Sequence, residues 1–402
     1  MKRRRNLLVG SICGILGLAS ELTWSQSDDA RIEELEAQTS ELRMQVEELR
    51  DELEGVRPED EVDVGAGASR GGTTSSHLTG YAAIGFTKPE GGDGEFDVVS
   101  FNPIIHFLHG ERILWESELE IEVSGSGETE VELEYSTIDI FLNDYLVLVT
   151  GKFNSPLGNF RQNLHPAWIN KLPSAPPGFG HDGAAPLSDI GLQLRGGRPI
   201  GSGMHLTYAS YVGNGPRLAS EDGELHGVDT DGFAGSDDGE RTLGARVSLL
   251  PLPRLEVGFS GAWGDAAIVE NDDDELVGDP ARKYRVNGVD FSYQWGDFDL
   301  RAEYISQEIG SAPLSVAPEG AKWETQYLQG AYKFGQSKWE GVLRYSDFDS
   351  PHTDEAQEQW AIGMNYLVTP SAILKLGYES NDGLTGTQTD SDRWLLQVAY
   401  GY

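Results

Sequence analysis

From Arg393 to Tyr402 the chain alternates between oily and small or polar positions. Trp394, Leu396, Val398, Tyr400 and Tyr402 share one face of an extended strand; Arg393, Gln397, Ala399 and Gly401 share the other, with Leu395 the one large apolar intruder. Successive side chains of a strand point to opposite faces, so a period of two predicts a strand with one oily face. The same alternation recurs from Leu78 onward in sixteen segments, at approximately 78–86, 97–108, 111–123, 129–141, 144–153, 187–197, 203–213, 240–250, 253–264, 283–295, 297–308, 322–334, 337–347, 356–367, 371–380 and 391–402. Strand 129–141 loses its phase after Tyr135, which predicts a bulge.

The connections carry as much information as the strands. Every second one is tight, as at His109-Gly110, Asn143, Pro251-Leu252, Gly296 and Gly335-Gln336. The intervening ones are mostly longer, and 154–186 and 214–239 are the longest. Alternating short and long connections between strands of this length predict an all-β antiparallel transmembrane barrel of sixteen strands, with short periplasmic turns and longer external loops. An even count leaves both of its ends in the periplasm. The oily face includes Leu243, Ala245, Val247 and Leu249, then Phe259 and Trp263, then Val289, Phe291, Tyr293 and Trp295. Aromatic residues gather at strand ends, as an interfacial girdle requires.

A different period precedes the barrel. Ile32, Leu35, Thr39, Leu42, Val46, Leu49, Leu53 and Val56 step by three and four, a heptad seam. At 1.5 Å per residue it reaches about 37 Å, and so narrow a seam needs a partner helix. The expected organisation is a signal peptide over 1–25, a helical coiled coil over 26–57, a flexible linker over 58–77 and the barrel over 78–402. Lys2 to Arg5 ahead of the apolar run Leu7–Ala19 form the basic and hydrophobic parts of the signal, with cleavage after Ser20 or Ser25. The single cysteine, Cys13, lies within that run, so the exported chain has no disulfide.

Charge narrows the partners. The formal charge of −36 becomes about −39 once residues 1–25 are removed, which excludes nucleic acid. The text GKFNSPLGNF at 151–160, LHPAWINKLP at 164–173 and PLSDIGLQLRGG at 186–197 resembles the phosphate-selective porin O and P superfamily and related carboxylate or sugar porins. The terminal strand, ending on an aromatic residue, resembles the closing strand of outer-membrane barrels. The resemblance implies a homotrimer set in outer-membrane lipid and lipopolysaccharide, its coil three-stranded and periplasmic, and a third external loop, 154–186, folded inward as a constriction.

That loop is basic, with Arg161, His165, Lys171 and His181 against Asp182. Alternation adds Lys152, Arg195, Arg246, Arg301, Lys333, Arg344, Lys375 and Arg393 as inward-facing basic residues. Glu116, Glu118, Glu120 and Glu122 on the third strand, with Glu130, Glu132 and Glu134 on the fourth, form an opposed acidic wall, with Trp115, Leu119, Ile121, Val131, Leu133 and Tyr135 facing lipid. The expected function is passive diffusion of small hydrophilic or charged solutes, weakly favouring small anions. A cation-preferring channel and a closed barrel tethering the membrane to peptidoglycan are the alternatives. The glutamate wall departs from the basic lumen that phosphate selectivity requires. No triad-like grouping, phosphate loop or zinc motif points to an enzyme, a cofactor or a resident metal, and the acid run Asp272–Glu275 matches no calcium loop.

Overall fold

The computed structural model describes residues 74–402 apart from 181–182, 202, 222–223, 235–240, 271–274, 277–280 and 314. The expected signal peptide, coiled coil and most of the linker lie outside the described residues, as do His181, Asp182 and Asp272–Asp274. In chain order the strands are β1 (Thr74–Pro89), β2 (Glu95–His109), β3 (Ile113–Val123), β4 (Thr129–Asn143), β5 (Leu146–Asn154), β6 (Ser188–Pro199), β7 (His205–Gly213), β8 (Arg217–Glu221), β9 (Glu224–Asp229) and β10 (Thr242–Leu252). They continue as β11 (Leu255–Glu270), β12 (Glu275–Leu276), β13 (Arg282–Trp295), β14 (Phe298–Ile309), β15 (Ala321–Lys333), β16 (Trp339–Asp349), β17 (Gln357–Leu367), β18 (Ala372–Asp382) and β19 (Arg393–Gly401).

Sixteen of these, all but β8, β9 and β12, form one closed antiparallel barrel in which each strand pairs with its chain neighbours. Closure is made by β1 against β19, with Ile84 opposite Val398 and Ala82 opposite Tyr400. Gly80 and Tyr402 exchange backbone hydrogen bonds of 3.2 and 3.0 Å, and the Thr79 hydroxyl donates to the Tyr402 carbonyl. Closure leaves no unpaired edge. The expected count and parity are both found. β1 begins at Thr74, four residues inside the expected linker.

The outside is oily. Leu243, Val247, Phe259, Trp263, Leu343, Ile362, Trp394, Leu396 and Val398 are all exposed. Aromatic pairs mark both ends of this belt: Trp339–Tyr366 with ring centroids 4.9 Å apart at the short-turn end, Tyr345–Trp360 at 5.0 Å and Tyr378–Trp394 at 4.8 Å at the other.

Two expected orientations are overturned. Strand pairing between β3 and β4 shifts by one residue at Glu134, the expected bulge, and beyond it Tyr135 stands opposite Glu118 on the inward face. Tyr135 therefore does not face lipid. Lys152 points outward, opposite Ser136 and Ile190, because Val149 and Phe153 of the same strand are the buried inward residues. Phe153 meets Tyr211 edge-on inside the barrel at 5.6 Å. β5 is apolar on both faces, and only the packing inside distinguishes them.

The principal core lies within the barrel. Leu157, Phe160, Phe179, Ala184 and Ala185, between β5 and β6, join Leu218, Leu225 and Val228 of the β8–β9 hairpin and Ala266 and Ile268 of β11. Tyr284, Ile305, Trp323, Tyr327 and Phe348 on the wall complete the cluster. β8 is held parallel to Ala267–Glu270, where β11 continues past its expected end. The short runs of the hairpin were not legible as strands. Arg282 binds the Gly310, Val316 and Ala317 carbonyls at 2.6–2.9 Å and so folds the connection 310–320 inward as well. Apolar packing thus fills much of the lumen beside β10–β16. The cluster also takes in Val149 and Phe153 of β5, and the space beside β1–β4 is where the acidic residues stand.

Candidate constriction and the lining of the lumen

Residues 155–187 are an inward loop because the wall beneath them is small and the wall beside them is full of donors. A Cβ added at Gly363, Gly377 or Gly401 would meet Leu172, Pro173 or the Trp168 ring at 2.6, 3.2 and 2.8 Å. With Ala361 and Ala399, both buried, these glycines make a shallow seat on β17–β19. Above it the loop offers bare carbonyls, and long wall side chains satisfy them. Arg344 donates to the Ser174 and Ala175 carbonyls at 3.0 and 3.1 Å, Lys375 to the Leu172 carbonyl at 3.3 Å, Gln397 to that of Pro173 at 3.1 Å and Asn365 to that of Lys171 at 2.8 Å. At the other end, Glu303 accepts the Asn159 and Phe160 amides at 3.0 and 2.9 Å. A loop backbone removed from water must find such partners.

These contacts change the reading of the basic residues. Arg344 and Lys375 are 0 and 2 % exposed and lie beneath the loop rather than along an open path. Arg161 pairs with Glu134 of the bulge, Lys171 with Glu340 at 2.7 Å and Arg393 with Glu379 at 2.6 Å. Arg195 pairs with Asp139 at 2.5 Å, Arg246 with Asp290 and Glu256 at 2.6 and 2.9 Å, and Arg301 with Asp299 at 2.7 Å. The expected run of free basic residues is not formed: Arg161, Lys171, Arg195, Arg246, Arg301, Arg344, Lys375 and Arg393 each have a carboxylate or a loop carbonyl of their own, and Lys152 points outward. Asp139, Glu256, Asp290, Asp299, Glu340 and Glu379 are the residues sequence reading passed over. The signal was present: the alternation that turned the basic residues inward turns these inward too.

The acidic wall has no such compensation. Glu120 stands directly opposite Glu132, and Glu122 opposite Glu130. Among the described residues no basic side chain lies within 4 Å of these four. Glu122, Glu130 and Glu132 are exposed, whereas Glu118 is 2 % exposed beside Tyr81 and Tyr135. Glu116 is the exception, 2.7 Å from His106. Like charges facing each other across a strand pair are destabilising; at about 5 Å and an effective dielectric of 20–80 the repulsion is roughly 1–3 kcal/mol.

His165 sits in the loop with its Nδ1 against the Arg161 carbonyl and Glu134 nearby. Burial, with the Arg161 charge adding to it, lowers its imidazole to about 4. A histidine lowered in the folded state contributes stability above its unfolded value near 6.5 and loses it as pH falls toward 4. We expect the loop to loosen across that window, seen as increased proteolysis or current noise at pH 4 relative to pH 7. His165→Asn should remove that component, and an unchanged pH response in it would refute the assignment.

An oily outside, a closed sixteen-strand wall and a charged, loop-narrowed interior define an outer-membrane channel of the porin class. Over residues 220–402 the sequence matches the family described as Gram-negative porin. No curated protein matches it. An anion-selective porin from Comamonas acidovorans superposes with a TM-score of 0.54 at 14 % identity, covering 82 % of this chain and 100 % of that one. A loop-deleted OmpT of Vibrio cholerae gives 0.53 at 12 %, covering 82 and 99 %. Salmonella typhi OmpF in complex with daunomycin gives 0.52 at 12 %, covering 81 and 97 %. These likenesses concern the fold. The phosphate-selective subtype receives no support from them.

Proposed function

We propose that the chain is a general diffusion channel for small hydrophilic solutes that favours cations over anions. One observation carries the reading: the inward basic residues around the loop, from Arg161 to Arg393, are paired by neighbours with the exception of Lys333, while the facing glutamates of β3 and β4 are not. This replaces the expected weak anion preference with its alternative. The constriction would lie between loop 155–187 and the wall of β1–β4, because apolar packing, which includes Val149 and Phe153 of β5, occupies the other side. Local uncompensated charge sets selectivity more than net charge does, since charge beyond about 8–10 Å is screened at physiological salt. In a planar bilayer under a potassium chloride gradient, the reversal potential should have the sign of a cation channel. A reversal potential of anion sign would overturn the preference, and a silent bilayer would favour the closed tether. Replacing both Arg161 and Lys171 by Glu should displace the loop and raise conductance, because Glu134 and Glu340 would lose their partners.

We further propose a homotrimer joined through β3–β5. Lys152 on the outer surface stands beside Ser136, whose hydroxyl accepts the Trp115 indole at 3.2 Å. A lysine facing lipid costs about 2–4 kcal/mol near mid-bilayer, a cost a protein interface relieves. A solved OmpT from Vibrio cholerae is described in a trimer form, at 12 % identity and a TM-score of 0.51. The remaining outer surface would contact lipid and lipopolysaccharide. Lys152→Glu should shift detergent-solubilised protein from trimer toward monomer. Deleting residues 26–57 should leave a folded barrel, since closure needs only the strands from Thr74 onward. Monomer at every stage, with and without 26–57, would reject the trimer.

A further inference from the structure

Glutamates alone would be an unremarkable wet face, but a second feature stands among them. Asn102, on the inward face of β2, is 0 % exposed, and neither its amide oxygen nor its amide nitrogen has a partner. It stands opposite Tyr81 of β1. On its other side, the pairings of Phe101 with Ile121 and of Ile104 with Glu118 place it level with Glu120. One Glu118 oxygen is likewise buried and unpartnered. A buried polar atom left without a partner is destabilising. The repulsion within the Glu120–Glu132 and Glu122–Glu130 pairs adds to that. A cation that takes oxygen ligands would satisfy the Asn102 amide oxygen and relieve the facing carboxylates; the Asn102 nitrogen, a donor, would need an acceptor such as a carboxylate or water.

We propose that the inward face of β2–β4 binds a divalent cation of the calcium or magnesium class. Glu120 and Glu132 would supply carboxylate oxygens from facing strands, Asn102 its amide oxygen, and water the remainder. Glu122 and Glu130, one step closer to the long-loop end, draw the ion in. All-oxygen donors suit these hard cations rather than zinc or copper. Among the described residues no three acidic or histidine side chains are grouped as a metal cage. Binding is therefore weak and exchangeable, with dissociation constants of about 0.1–1 mM expected. The inference rests on the channel reading for its effect on current: an ion held there obstructs monovalent cations.

Terbium tests binding apart from conduction. Tyr135, opposite Glu118, and Tyr81 are near enough to sensitise its emission. Purified protein stripped with chelator should give saturable tyrosine-excited terbium emission that calcium displaces. Glu120→Gln with Glu132→Gln should weaken binding by about tenfold, and Glu122→Gln with Glu130→Gln less; Tyr135→Phe should dim the emission yet leave calcium competition unchanged. Millimolar calcium should reduce potassium current through the native channel and spare the first double variant. Non-saturable emission, or equal binding in native protein and the first double variant, overturns the site even where cation selectivity persists. Saturable emission, lost in that variant, from a protein of anion sign keeps the site and overturns only the selectivity reading.

Discussion

Replacing Arg344 by Met should unseat residues 155–187 and at least double the single-channel conductance. Arg344 holds the loop at the Ser174 carbonyl and hydroxyl and the Ala175 carbonyl, and it bridges to Gln359 and, at 3.9 Å, to Glu379. Removing one partner of a buried charged network costs on the order of 3–5 kcal/mol. Here the cost falls on the loop, because the wall strands keep their own backbone bonds. Heat-modifiable electrophoresis would report the intact barrel and bilayer recording the wider opening. Gly401→Val provides an independent route, since its side chain would collide with Trp168. A folded barrel of native conductance in both variants would mean that the loop does not limit flow.

The second large effect concerns sign. Changing Glu120, Glu122, Glu130 and Glu132 together to Gln should abolish the cation preference, moving the reversal potential toward zero. Single substitutions should give smaller steps, because the remaining carboxylates still share the field. The quadruple variant should also be more resistant to heat in chelator, by roughly 1–3 kcal/mol per relieved pair. Native selectivity in the quadruple variant would move the filter elsewhere. The paired residues Arg246 and Asp290 would then be the first place to look.

Much of the barrel was legible because alternation reports a face wherever the two faces differ in polarity. β19 shows this best: its outward Trp394, Leu396, Val398 and Tyr400 contrast with inward Gln397, Ala399 and Gly401. The rule fails where that contrast vanishes. LVLVTGKFN of β5 is oily on both sides, so alternation alone does not tell that Val149 and Phe153, not Lys152, occupy the interior. Tyr135 escapes the rule because one bulged residue inverts all that follows. The inward turn of 155–187 came from resemblance, and its seat of glycines joins residues about two hundred positions apart. The lesson for charge is similar. Arg301 was legible as inward, but its neutralisation by Asp299 two residues earlier became evident only with the geometry.

The seam between Gly80 and Tyr402 also constrains the order of events during folding. Those residues are among the most distant in the barrel, and closure cannot precede the arrival of β19. Contacts of such separation are slow to form. The segment between β5 and β6 rests on β17, β18 and β19, so it is made early in the chain but acquires its resting place last. Until then Phe160, Trp168 and Leu172 are sticky surface on an unfinished sheet. Chains cut short before β17 should therefore be captured by periplasmic chaperones or degraded, whatever the quality of their first strands. The closing strand β19 thus has a second office: its arrival certifies that the wall awaiting the loop has been delivered.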